Sequence, residues 1–328
     1  MQSHEDILCI FYTLQIITGI ISSLLLFYLY GFNLLTSQKI RSIDVIYINL
    51  SFSHILLILF KGVIFAVQIC IQTFVLGDTE CKIIIYLQRV SRSLCLCTTC
   101  HLSIYQAVTI SSGRPLWAEL RAKAQKYIVP SCAFIWVLSL LIDVDVPWYV
   151  NGPRNSTNSK LLENVGHCSL DRHAMAASKL VIRKLLYDAV FLGIMAITSG
   201  YMVIILYRHH CQVQHIHTTS LNPNSSIETR ATKVILLLTS LFICFYSLSS
   251  MFIVVMENAK DKNQWVIHMI VFFNLCFPIF SPFVIISSDS QIHVCSNPFK
   301  KIKKKSYPHP LILASLIKHV LKHRVIEF

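Results

Sequence analysis

The sequence predicts an all-α fold: seven helices packed as a membrane-spanning bundle, N-terminus outside and C-terminus inside. Three observations carry this expectation. Seven separate apolar runs come near or exceed the roughly 20 residues that a helix needs to cross a bilayer core about 30 Å thick. Of 328 residues, 54% are hydrophobic and only 14% charged, against about a quarter charged in a soluble domain. The basic residues also cluster in alternate loops. This composition argues against a soluble enzyme, a disordered regulator and a secreted disulfide scaffold.

The runs cover residues 7–31, 45–67, 83–110, 128–148, 185–207, 234–256 and 265–286. They are long and lack period-2 alternation, which favours helices over a membrane barrel. The first and sixth carry no charge. The second holds Lys61, the third Arg89, Arg92 and His101, the fourth Asp143 and Asp145, the fifth Asp188, and the seventh His268. Helices with such groups need neighbours to shield them, so they belong in a bundle. Pro278 lies inside the seventh run and is expected to act as a hinge, because a proline removes one helix hydrogen bond. The first run is too long, and its start too acidic, for a cleavable signal peptide.

Charge orients the bundle. Glu5 and Asp6 precede the first run; Lys39 and Arg41 follow it. The positive-inside rule then puts the N-terminus outside. On that assignment the inner segments hold 17 Lys/Arg and the outer ones 9. The net charge of +13 is thus a topology signal and not a nucleic-acid face. Residues 1–286 read as one membrane domain and 287–328 as a basic cytoplasmic tail. In that tail Leu313, Leu316, Ile317, Val320, Leu321 and Val325 fall at helical spacing. This predicts an amphipathic helix on anionic lipid.

Cys81 and Cys168 both fall on the outer side and are candidates for a disulfide in an oxidising compartment. The other ten cysteines read as small apolar residues. Asn155-Ser156-Thr157 is a glycosylation acceptor in the long outer loop. Cys97-Thr98-Thr99-Cys100-His101 spells a haem-attachment pattern, but inside an apolar helix it reads as packing. His209, His210, Cys211, His215 and His217 read as a solvated loop, since their spacing fits no closed zinc site. No paired carboxylates, phosphate loop or nucleophile motif points to an enzyme, a cofactor or a resident metal.

The charges inside the runs are the more informative feature, because each costs about 3 kcal/mol on insertion scales. Lys61, Arg89, Arg92, Asp143, Asp145 and Asp188 all fall in the outer half. They read as helix-orienting ion pairs, as a polar pocket for an acidic or oxygen-rich ligand, or as both. The candidate ligand-binding residues are Arg89, Arg92, Gln88, Asp188, Lys61 and His268.

Residues 90–112 (Val-Ser-Arg-Ser-Leu-Cys-Leu-Cys-Thr-Thr-Cys-His-Leu-Ser-Ile-Tyr-Gln-Ala-Val-Thr-Ile-Ser-Ser) resemble the third helix of vomeronasal type 1 receptors. His217-Thr-Thr-Ser-Leu, Glu228-Thr-Arg-Ala-Thr-Lys233, the second-helix stretch 49–62 and Leu275-Cys-Phe-Pro-Ile-Phe-Ser-Pro-Phe283 are similar to further blocks of that family, in the same order. The resemblance spans residues 5–290. It implies a plasma-membrane G-protein-coupled receptor for a small-molecule pheromone, acting through an inhibitory-class heterotrimeric G protein. It also implies a Cys81–Cys168 bridge and a glycan on Asn155. Tyr105-Gln106-Ala107 stands where the rhodopsin-like class has its acid-Arg-aromatic triplet. Tyr105, Gln106, Arg230 and Lys233 are the candidate G-protein-facing residues. The alternatives are a bitter-taste-type chemoreceptor and a multi-pass transporter.

Overall fold

The computed structural model describes residues 2–36, 41–71, 76–111, 115–151, 162–165, 168–171, 175–215, 223–258 and 264–288. Among them, seven helices are long and apolar enough to cross a membrane. The first span is α1 (Gln2–Thr36). The second joins α2 (Ser42–Leu57), a wider π-type segment (Ile58–Val63) and α3 (Ile64–Cys70). The third is α4 (Asp78–Ile110). A short helix, α5 (Pro115–Lys126), leads to α6 (Ile128–Leu141), which begins the fourth span. The last three come from α7 (Met175–His215), α8 (Pro223–Asn258) and α9 (Gln264–Ser288). Between α6 and α7 lie β1 (Val150–Asn151), β2 (Leu162–Val165) and β3 (Cys168–Asp171), antiparallel and ordered β1-β3-β2.

Hydropathy marks the apolar part of a helix, not its end. Backbone hydrogen bonding continues after the apolar residues stop, so α1 and α7 outrun their apolar runs. Residues 209–215 are accordingly helix and not loop, while His217 lies outside the described residues. The opposite happens in the fourth span. Its helix stops at Leu141, and the chain passes through a turn into one 3₁₀ turn, Val146–Trp148. Asp143 and Asp145 therefore lie in the turn that follows the helix.

The bundle is patterned inside out. Large apolar residues of α1 such as Ile10, Leu14, Ile17 and Ile21 are exposed, at the i, i+3/i+4 spacing of one helix face. Small polar residues point inward: Ser51, Ser53, Thr98, Thr99 and Ser103 are buried. Lipid is as apolar as leucine, so helices associate through close packing and hydrogen bonds instead. Thr98 accepts a hydrogen bond from Asn49 Nδ2 at 3.3 Å, and Asn49 Oδ1 accepts one from Trp136 Nε1 at 2.8 Å. Gly19 lets α1 approach closely: a Cβ there would lie 2.9 Å from side-chain atoms of both Ile58 and Ile279.

The axis is α4. In its most apolar window 72% of the residues are buried, against 11% for α7. Its start is capped by Glu80, whose carboxylate accepts the Gly77 N–H at 2.9 Å. Cys81, in the first turns of α4, is bonded to Cys168 of β3 with the Cα atoms 5.6 Å apart. A second disulfide joins Cys9 of α1 to Cys70 of α3, Cα atoms 5.3 Å apart. This corrects the expectation that Cys9 and Cys70 are plain apolar residues. Spacing along the chain carries no trace of a contact made 61 residues apart. Both bridges lie at one end of the bundle, called here the disulfide end.

The chain divides into a unit of residues 1–285 and a second unit from 286 onward. Beyond Ser288 that second unit, with the amphipathic stretch 311–328, falls outside the described residues. So does Asn155.

Candidate functional site

Arg92 is the centre of the site. It is 5% exposed, as is Asp188, and a buried guanidinium must find partners for its five N–H groups. It finds them on three helices. Nη2 donates to Asp188 Oδ2 of α7 at 3.3 Å. Nε donates to the Tyr246 hydroxyl of α8 at 2.9 Å, and Nη1 to Asn274 Oδ1 of α9 at 2.6 Å. Ser249 and Ser250 add longer contacts of 3.3 and 3.4 Å. The partners also bind each other: Tyr246 donates to Asp188 Oδ1 at 2.8 Å, and Asn274 Nδ2 to Ser249 at 2.6 Å. The guanidinium carbon lies 4.1 Å from the Tyr246 ring centroid. One side chain thus ties the axial helix to α7, α8 and α9.

A second cluster lies nearer the disulfide end. Arg89 Nη1 meets Asp143 Oδ1 at 3.3 Å. Arg183 holds Asp145 through two bonds of 2.8 and 2.7 Å and approaches Asp143 at 3.7 Å. The turn after Leu141 makes this arrangement, because it brings both carboxylates to one cation. Arg183 and Lys184 precede the apolar run 185–207, yet both lie within α7. Among the described residues the region therefore holds five cations, Lys61, Arg89, Arg92, Arg183 and Lys184, and three acids.

Between these groups and the disulfide lies a cavity of about 210 Å³. Lys61, Gln68 and Gln88 reach it from the second and third spans, Lys184 from α7, and Cys168 from β3. Its other walls are apolar, including Ile64, Phe65, Ile84, Ile253 and Met256. Lys61 lines this cavity from the π-type segment of the second span. Lys184 also borders the cleft shared by Arg89, Arg92, Asp143 and Asp188, so it stands on the wall between cavity and ion-pair cluster.

The remaining sequence candidates are placed differently. His268 turns away from the cavity: its ring stacks on Tyr12 of α1 at 5.9 Å, and the Tyr12 hydroxyl lies 3.3 Å from its Nδ1. Its neighbours Ile267, Ile270 and Val271 line the cavity instead. At the far end of α4, Tyr105 and Gln106 are buried. Gln106 Nε2 donates to Thr232 Oγ1 of α8 at 2.9 Å. Lys233 is exposed, and Arg230 lies within α8. Pro278 is inside α9, one turn beyond Asn274. Cys97 packs its Sγ 2.7 Å from the Tyr187 hydroxyl, and His101 lies 3.0 Å from Ser131 Oγ. The haem-like spelling is therefore helix packing.

The model of the vomeronasal organ pheromone receptor family matches residues 6–297. The chain belongs to this family, the vomeronasal type 1 receptors. Human vomeronasal type-1 receptor 4 is 36% identical over 282 residues, covering 85% of this chain and 93% of the relative. Olfactory receptor class A-like protein 1 of Danio rerio is 30% identical over 283 residues, covering 86% and 89%. Squid rhodopsin shares the fold, with a TM-score of 0.70 at 17% identity over 94% of this chain and 89% of that one. This vomeronasal-family chain is thus a multi-pass membrane protein with a G-protein-coupled receptor fold.

Some residues of the candidate site carry no mark in the sequence. Tyr246, Ser249 and Asn274 lie in apolar runs and carry no charge, so nothing along the chain marks them as partners of Arg92. Lys184 had a usable signal: it stands four residues before Asp188, one helical turn away. Starting the fifth run at Leu185 cut it off.

Proposed function

We propose that this vomeronasal-family chain is a cell-surface pheromone receptor with its N-terminus outside. It binds a small-molecule chemosignal at the disulfide end of the bundle and activates an inhibitory-class G protein from the opposite end. The observation that supports this best is the cavity beside the Arg92 network. A ligand there touches Lys184, which borders the same cleft as Arg92, and Arg92 bridges four spans. A ligand shifts the equilibrium between two bundle arrangements only by its difference in affinity for them. A network joining α4 to α7, α8 and α9 makes such a difference available.

At the inner end the Gln106–Thr232 hydrogen bond closes α8 against α4. Moving α8 away uncovers Tyr105 and Gln106, which join Arg230 and Lys233 of α8 in the surface that meets the G protein. Pro278 supplies the hinge in α9. The outward loop carries a glycan on Asn155, and the basic tail lies on anionic lipid.

The test is nucleotide exchange on a G protein reconstituted with the full-length receptor in lipid discs. Exchange that rises with an added odorant panel supports the reading. Concentrative solute uptake by vesicles bearing the protein, with no exchange, would sink it in favour of transport.

A further inference from the structure

The cations of the site fall into two groups. The arginines are engaged: Arg89 with Asp143, Arg92 with Asp188, and Arg183 with Asp145. Among the described residues no other acid lines the cavity or the ion-pair cluster, so the negative charge there is taken. Lys61 and Lys184 have no ion pair or hydrogen bond with any described residue. Both are half-buried, and both line the same cavity, from the second and the fifth span. An ammonium in a spanning helix is costly without a partner, and two in one cavity repel each other. Lys61 also lies in the π-type segment Ile58–Val63. Such wider turns recur at functional sites, where they redirect side chains.

Resting on the reading that this cavity receives the ligand, we propose that the ligand is a compact, mainly apolar organic anion. Its single acidic group is held between Lys61 and Lys184, and Gln68 and Gln88 offer amide N–H groups to the remaining lone pairs. Its body lies against Ile64, Phe65, Ile84 and Met256. The cavity sets the size. At about 210 Å³ it falls below the roughly 300–1,000 Å³ of sites for drug-sized molecules. Two basic side chains between apolar walls disfavour amines, which add like charge, and favour an acid over an alcohol, because only the acid brings a negative charge for the lysines to pair with.

Matched probes test this. Full-length receptor in phosphatidylcholine discs is titrated with cyclohexanecarboxylate and with cyclohexylmethanol, which share size and body and differ in charge. The expected result is at least tenfold tighter binding of the acid. Lys61→Gln and Lys184→Gln each remove about tenfold of the acid's affinity and leave the alcohol's unchanged. Lys184→Arg, which keeps the charge, retains acid binding and serves if a glutamine variant folds poorly. Equal binding of acid and alcohol, or equal loss of both in the variants, overturns the proposal. Loss of acid binding when phosphatidylserine is added to the discs also overturns it, by assigning the lysines to lipid headgroups. G-protein exchange is read separately. Acid binding without exchange keeps the lysine anchors and removes the receptor reading, whereas exchange driven only by neutral or cationic probes does the reverse.

Discussion

Arg92 of α4 and Asp188 of α7 meet at 3.3 Å in the interior, with side chains 6% and 7% exposed. A buried pair of this kind contributes little net stability, but breaking it is expensive because it strands a charge. We therefore expect Arg92→Met alone to cost about 3–5 kcal/mol, seen as loss of surface-expressed receptor and a lower melting temperature. The double variant Arg92→Met with Asp188→Leu should recover much of that loss. No recovery would show that Tyr246 and Asn274, and not Asp188, are the partners that matter.

Arg183 offers a contrast on the same helix as Asp188. Its side chain is 40% exposed and its partner Asp145 36%, so solvent screens the pair. Arg183→Gln should cost less than about 1 kcal/mol and leave expression close to wild type. A loss matching that of Arg92→Met would mean that the turn after Leu141 depends on this ion pair.

The two disulfides should differ in weight. Cys81–Cys168 anchors a strand segment that also lines the cavity, and Cys168 packs with Leu76, Val146 and Val150. Cys9–Cys70 joins α1 and α3, helices that already pack through Tyr12, Ile16 and Ala66. Cys81→Ser should abolish surface expression or ligand response, while Cys9→Ser should lower the melting temperature and spare the response. Ligand-response assays on both variants check this; loss of response in Cys9→Ser would place the α1–α3 contact in the site.

Gln106→Ala removes the hydrogen bond to Thr232 that holds α8 against α4. Such a bond is worth about 1 kcal/mol, equivalent to about a fivefold change in an equilibrium. Basal nucleotide exchange without ligand should rise by about that factor. Unchanged basal exchange would show that this contact does not restrain α8.

Close packing at Gly19 gives a purely structural prediction. Gly19→Val places methyl groups against Ile58 and Ile279, which already lie 2.9 Å from an added Cβ. Overpacking of this kind costs about 1–3 kcal/mol, measurable as a fall in melting temperature. A neutral substitution would mean that α1 can tilt away freely.

The span count was legible because crossing a bilayer demands a long apolar run, and such runs survive in one dimension. Helix ends were not: Leu141 ends its helix in the middle of an apolar run, and α7 continues through His215 after its run has ended. The cluster of charges in the third to fifth spans was also legible, since charge stands out against an apolar background. Which cation meets which acid was not. Arg89 and Arg92 lie three residues apart, yet one turns to Asp143 and the other to Asp188, a choice set by the helices around α4.

The sequence by itself determined that the chain crosses the membrane seven times and belongs among receptors of this kind. Hydrophobic length and local motifs are properties of consecutive residues. Only the tertiary structure decided that Cys9 bonds Cys70, that Tyr246 and Asn274 complete the Arg92 network, and that Lys61 and Lys184 share a cavity with no acid left among the described residues to pair them. Those relations join residues from 61 to 182 positions apart, and packing between helices, not order along the chain, brings them together.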